Sequence, residues 1–173
     1  MPIDPVFVHL RLHSEYSVVD GIVRVEEAVA KAHDTGMPAL ALTDLSNLFG
    51  LVKFYQHACK AGIKPIAGCD VWVTNENDAD RPFRLLLLCQ SFSGYLLLSR
   101  LLSRAYRENM QRGRPQLRKD WFQAEKAGTE GLIALSGGEQ GEVERLLLTD
   151  SSAAVAAAQE WAALFPAGFY LEV

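Results

Sequence analysis

Ala39-Leu40-Ala41-Leu42 is apolar at every position, and the pattern returns in Leu85 to Cys89 and in Leu132-Ile133-Ala134-Leu135. A run that never alternates with polar residues suits a strand covered on both faces. Between the runs the apolar spacing changes to that of a helix. Val25, Ala28, Val29 and Ala32 fall at i, i+3, i+4 and i+7, which makes one apolar helical face. Gly36 and Pro38 end that segment. Leu51, Phe54, Tyr55, Ala58 and Cys59 mark a second face that stops at Gly62. Tyr95, Leu98, Leu102 and Ala105 mark a third, in a long helix. Ser151 to Phe165 is alanine-rich and closed by Pro166.

This alternation predicts an α/β fold, a parallel sheet or barrel with its helices outside. Strands are expected at Val6–Leu10, Ala39–Leu42, within Ile63–Val73 with a break at Gly68, at Phe83–Cys89, Leu132–Leu135 and Phe169–Glu172. Thr43 to Asn47 reads as a loop in which Ser46 or Asn47 can cap the next helix. Residues 74–82 read as an exposed loop and 107–119 as an irregular basic segment. Asp120 can cap a short helix running through Ala127, and Glu142–Leu148 reads as another short helix.

The chain is 49% hydrophobic and 22% charged, ordinary for a soluble globular protein. Its 173 residues suffice for one domain with a substantial core, so a single domain over 1–173 is expected. A net charge of −4 gives no global attraction to nucleic acid. It leaves room for the local basic run of Arg100, Arg104, Arg107, Arg112, Arg114, Arg118 and Lys119, whose plainest reading is a solvated helix face and loop. Met1-Pro2-Ile3-Asp4-Pro5 is not a signal peptide, and Leu85 to Cys89 is far too short to span a bilayer. Cys59, Cys69 and Cys89 show no CxxC spacing, which argues against a disulfide framework or structural zinc. A reducing, cytoplasmic location without membrane contact is expected. The cysteines read as small buried hydrophobes, and Trp72, Trp121 and Trp161 as packing residues.

Folds of this class place function at the C-terminal ends of their strands. Those ends carry His9, Arg11 and His13, then Asp44, then Asp70, Ser136 and Glu172. Imidazole and carboxylate together suit metal or acid/base chemistry. His13, Asp20 and Asp70 are the metal-ligand candidates. Arg11 opposes that reading, because a fixed guanidinium beside a cation is repelled by it. It is expected instead to pair with Asp44, Asp70 or Glu172. His9 reads as a core histidine, His33 and His57 as surface residues on helices. Ser136-Gly137-Gly138 reads equally as a phosphate-binding turn or a plain strand-to-helix turn.

Several stretches resemble a known family in order along the chain. His9-Leu10-Arg11-Leu12-His13-Ser14, continuing through Tyr16-Ser17 to Asp20-Gly21, resembles the opening motif of PHP (polymerase and histidinol phosphatase) domains. Ala41-Leu42-Thr43-Asp44-Leu45-Ser46-Asn47-Leu48-Phe49-Gly50 resembles the second motif, and Gly62-Ile63-Lys64-Pro65-Ile66-Ala67-Gly68 with Asp70 the third. Gly94-Tyr95, Ser103-Arg104-Ala105-Tyr106, Gly131 to Gly137 and Phe169-Tyr170-Leu171-Glu172 extend the likeness. Within the family it is strongest to the PHP domains at the N-terminus of bacterial DNA polymerase III alpha subunits.

The resemblance implies a distorted seven-stranded, TIM-like (β/α) barrel, of which about six strands are visible. The last strand and the family's last ligand pair are expected beyond Val173. It also implies histidine at positions 11, 45 and 84 and glutamate at 70 in metal-binding relatives, with cysteine at 138 in some. Here those positions hold Arg11, Leu45, Arg84, Asp70 and Gly138, and only His13 and Asp20 are unaltered. The implied reading is a vestigial site of His9, Arg11, His13, Asp20, Asp44, Leu45, Asp70, Arg84, Gly138 and Glu172, with no cofactor and no catalysis. The implied role is a structural and docking domain in DNA replication. Its partners would be the proofreading exonuclease (epsilon) subunit and the remaining polymerase domains, with DNA reached indirectly through the holoenzyme. The alternatives are a phosphoesterase or 3′–5′ exonuclease using zinc, manganese or magnesium, and a DNA-binding module built on the basic run.

Overall fold

The computed structural model describes residues 7–124 and 128–172, and the chain divides into two compact units, Met1–Cys69 and Asp70–Val173. In the first, helix α1 (Val25–Asp34) buries Val25, Val29 and Ala32. Gly36 follows in the left-handed region at φ 72°, where a missing Cβ removes the steric penalty. Strand β1 (Ala39–Leu42) is buried at all four positions. It lies parallel to the start of strand β2 (Lys64–Val73), with Ala39 opposite Lys64 and Leu42 opposite Ala67. Helix α2 (Leu51–Lys60) buries Phe54 and Ala58. These side chains join Leu40, Leu42 and Ile63 in one core cluster, each large one contributing about 1.5–3 kcal/mol by leaving water.

Several expectations fail in this unit. Tyr55 and Cys59 are exposed, so the apolar face of α2 is narrower than its spacing suggested. Strand β2 runs unbroken through Gly68. The strand expected at Val6–Leu10 is not formed: Val6 lies outside the described residues, and 7–13 have no regular structure. That segment still bonds to β1, through Ala41 N–H to the His9 carbonyl (3.0 Å) and Thr43 N–H to the Leu12 carbonyl (2.9 Å). The acceptors are three residues apart and the donors two. One residue too many on one side disrupts a ladder as a bulge does, and the Thr43 hydroxyl takes the Leu12 N–H at 2.8 Å.

Neither Ser46 nor Asn47 caps α2, whose N-cap is Gly50 without a side-chain bond. Asn47 instead accepts from the Phe49 N–H at 3.0 Å and donates to the Tyr16 and Leu45 carbonyls. Ser46 sits at φ 58° with its buried hydroxyl lacking a hydrogen-bond partner. Left-handed strain and an orphaned hydroxyl both cost free energy. Ser46→Gly is therefore expected to stabilise the chain by about 1 kcal/mol, read as a raised urea midpoint at unchanged slope.

The second unit holds the rest of β2 with strand β3 (Phe83–Cys89), helix α3 (Phe92–Glu108), strands β4 (Met110–Gln111) and β5 (Arg114–Leu117) and helix α4 (Lys119–Ala124). Strand β6 (Leu132–Leu135), a 3₁₀ turn (Gly138–Gln140), helices α5 (Glu142–Leu147) and α6 (Ser151–Leu164) and strand β7 (Phe169–Tyr170) complete it. The strand order is β4-β5-β2-β3-β6-β7. The sheet is mixed, which corrects the all-parallel expectation: β2/β5 and β6/β7 are parallel, β3/β6 and β4/β5 antiparallel.

The irregular segment 107–119 conceals the β4–β5 hairpin. Its two turn residues, Arg112 and Gly113, both take positive φ (50° and 75°), the geometry that suits the twist of a tight hairpin. Helix α3 is capped by Ser91, which accepts from the Gly94 N–H, and α6 by Asp150, which accepts from Ser152 and Ala153. Asp120 lies inside α4 and receives Arg118. The expected end of that helix, Ala127, is outside the described residues. Trp121 and Trp161 are buried, and Trp161 meets Phe122, Phe165 and Phe169 while donating its indole N–H to Glu142 at 2.7 Å. Of the cysteines only Cys69 is buried. No helix of the described residues is long and apolar enough to cross a membrane.

Candidate functional site

In the first unit the site residues lie on the turn 14–23 and on the loop after β1. Ser17 N–H bonds the Ser14 carbonyl, and Asp20 and Gly21 N–H bond that of Ser17. These contacts close a tight turn and bring Asp20 back to His13. His13 Nδ1 lies 3.0 Å from Asp20 Oδ2, and Ser17 Oγ donates to Asp20 Oδ1 at 2.6 Å. Ser17 Oγ also accepts the Leu45 N–H at 3.0 Å, so Leu45 contributes a backbone group and no ligand atom. Lys53, placed by α2, ties the turn at Glu15 (3.1 Å) to α1 at Glu26 (2.9 Å).

Asp44 is buried, and Ser14 holds both its carboxylate oxygens, through its N–H at 2.6 Å and its hydroxyl at 2.9 Å. Burial pushes the Asp44 carboxyl above its ordinary value, and the Ser14 bonds pull against that shift. With the folded-state pKa raised, the folded chain binds this proton more tightly than the unfolded one. The stabilisation is complete below the ordinary value of 3.8 and is lost as pH rises through the raised value. Relative to Asp44→Asn, the wild-type urea midpoint is expected to fall with increasing pH across that window. A constant difference would contradict it.

His9 is exposed, edge-on to Phe7 at 4.6 Å, which corrects its reading as a core histidine. Arg11 is also exposed. His33 is exposed, and His57 is half-buried with Nδ1 2.8 Å from the Lys53 carbonyl.

The second unit contains the ion pair that the sequence did not single out. Arg84 Nε donates to Asp70 Oδ1 at 3.2 Å and Nη2 to Oδ2 at 2.8 Å. Asp70 is 1% exposed and the Arg84 side chain 10%. Trp72 flanks the pair: the Arg84 guanidinium lies 4.4 Å and that of Arg114 4.9 Å from its ring centroid. A bidentate fork on a carboxylate, stacked on an aromatic face, is the geometry arginine supplies and lysine does not. Beyond β6, Ser136 Oγ donates to Glu144 and accepts the Glu172 N–H at 3.0 Å. Glu172 Oε2 accepts the Gly137 N–H at 2.8 Å, so a carboxylate of the chain itself takes this amide of the Ser136-Gly137-Gly138 turn. Gly138 opens the 3₁₀ turn at φ 58°.

The seven basic residues from Arg100 to Lys119 are largely engaged. Arg104 pairs with Glu108 and stacks on Trp121, Arg112 meets Asp80, Arg118 meets Asp120, and Lys119 meets Glu142 and Glu160. Among the described residues, no group of three or more His, Cys, Asp or Glu side chains is arranged to hold a metal ion. Sequence reasoning missed Ser14, Ser17, Trp72 and Glu144. The two serines stand inside the His9–Gly21 motif, which was the available signal; Trp72 and Glu144 carried none.

A family model described as PHP domain matches residues 9–173. The DNA polymerase III subunit alpha of Neisseria meningitidis serogroup A is 45% identical over 172 residues, 98% of this chain and 15% of that protein. The Escherichia coli K12 protein of the same name is 45% identical over 152 residues, 88% of this chain and 13% of that protein. The chain thus spans about one seventh of the curated relatives it matches. A crystal structure from Bifidobacterium adolescentis, described as a "putative metal-dependent phosphoesterase", superposes with TM-score 0.57 at 13% identity, covering 97% of this chain and 77% of that one. At that identity the likeness concerns the fold.

Proposed function

Because the chain belongs to the PHP domain family, we propose that it is the PHP domain of a replicative DNA polymerase III alpha subunit, with its ancestral metal site disarmed. On this reading 1–173 is one PHP domain, the polymerase domains belong to the same longer polypeptide, and the role is structural and docking. The single observation that carries it is the Arg84 fork on Asp70. A guanidinium there supplies the positive charge a divalent cation would supply, and it excludes that cation by repulsion.

The side chains present do not suit zinc, manganese or magnesium. Asp70 is engaged by Arg84, Asp44 by Ser14, His13 by Asp20, and Leu45 offers no donor. Catalytic zinc wants three protein ligands and an open position. Within the first unit, Arg11 belongs to the same proposal, as a second cation serving Asp44. With the chemistry gone, what keeps the fold in use is its surface. The partners proposed are the proofreading exonuclease subunit and the neighbouring polymerase domains, in the cytoplasm, with DNA met only through the assembly. The ion pairs within the basic run speak against a dedicated DNA-binding module.

Two measurements test this. The exonuclease subunit should copurify with the whole alpha subunit and be lost when residues 1–173 are deleted; undiminished association would overturn the docking role. Purified chain with manganese or zinc should show no hydrolysis of a phosphomonoester. Turnover abolished by His13→Ala would establish the phosphoesterase alternative instead.

A further inference from the structure

The outward face of α3 bears a trough that the proposed site does not use. Its lining includes Leu96, Ser99, Arg100, Ser103 and Arg107, around a hollow of about 620 Å³. The floor is apolar, with Leu101 buried beneath it. Ser99 and Ser103 turn their hydroxyls back onto the Tyr95 and Ser99 carbonyls at 2.9 and 2.8 Å. Their polar atoms are thereby satisfied within the helix, and small side chains are left in the middle of the trough. Arg100 and Arg107 are exposed at its two ends, seven residues and so about 10.5 Å apart along the helix axis. A second hollow of about 200 Å³ shares Leu96 and Arg100 and extends the trough toward Gly131.

We propose that this trough docks an acidic, amphipathic protein segment. Its leucine-like side chains would lie over Leu96 and the serines, and its carboxylates, two helical turns apart, would meet Arg100 and Arg107. Charge complementarity selects the acid, and the apolar floor between the arginines selects an amphipathic segment of helix-in-groove type. Nucleic acid is the poorer occupant. Among the described residues no aromatic ring lines the larger hollow on which a base could stack. The inference does not depend on the state of the metal site.

The test uses the intact chain and a labelled peptide of about 14 glutamate and leucine residues at helical spacing, about 21 Å long. Fluorescence anisotropy should show binding that weakens with salt, and Arg100→Glu with Arg107→Glu should weaken it at least about tenfold, a loss of about 1.4 kcal/mol. Arg112→Glu, outside the trough, should leave it unchanged. Should the double reversal fail to fold, Arg100→Gln with Arg107→Gln is expected to give a smaller loss in the same direction. Absence of peptide binding would overturn the proposal. So would equal binding by the variants, or tighter binding of a single-stranded oligonucleotide through the same arginines.

Discussion

Arg84→Ala is expected to destabilise the chain by about 3 kcal/mol, measured as a drop in urea midpoint. Asp70 is 1% exposed, and removing the fork that meets both its oxygens leaves a buried charge short of its main compensation. Breaking a buried pair from one side costs about 3–5 kcal/mol in general. Other contacts of Asp70 hold the expectation at the lower end. Trp72 would lose its stacked guanidinium at the same time. Arg84→Lys restores a charge but neither the second donor nor the planar stack, so it should recover only part of the loss. A change below about 0.5 kcal/mol for Arg84→Ala, the range of an ordinary surface substitution, would show that the pair does not bear on the fold.

Gly137→Ala is expected to be comparably severe. Gly137 sits at φ 95°, and a Cβ there would collide with the backbone carbonyl of Arg84. Left-handed strain of about 1–2 kcal/mol adds to about 1–3 kcal/mol of overpacking, for a total of about 2–5 kcal/mol. The collision is with main chain, so no rotamer change relieves it. The substitution would push β6's end away from Arg84 and disturb the Gly137 N–H bond to Glu172. Gly138→Ala is the internal control: it also has positive φ, 58°, but nothing lies within 4 Å of an added Cβ. It should cost only the strain. Equal losses for the two would refute the steric account.

These two expectations meet at Arg84, and Arg84 marks where sequence reading ran out. The strands β1 and β6 were legible because each is an unbroken apolar run, β3 because Leu85 to Cys89 is one, and α1 because its buried residues keep a helical period. The hairpin β4–β5 was hidden by Arg112, Gly113, Arg114 and Pro115, which read as loop until the positive φ values reveal a tight turn. The direction of β3 was hidden for a different reason: periodicity reports which residues are buried and is silent on strand direction. At the candidate site, His13 and Asp20 were legible as site residues, each a ligand candidate, but their pairing across a short turn was not. The spacing made Arg11, two residues from His13, the expected cation for Asp44, Asp70 or Glu172. The fork on Asp70 comes from Arg84, 14 residues away on the neighbouring strand, and strand order is what no spacing rule discloses.

The proposal that a guanidinium has taken a metal's place is tested most directly by metal stoichiometry. The purified chain would be equilibrated with zinc or manganese, passed through a desalting column and analysed for bound metal. With a guanidinium in the metal's place, far less than one equivalent should be retained, with no rise in thermal midpoint on adding the ion, since an ion bound only by the folded state must raise it. One equivalent retained, with a raised midpoint and both effects lost in His13→Ala, would contradict it.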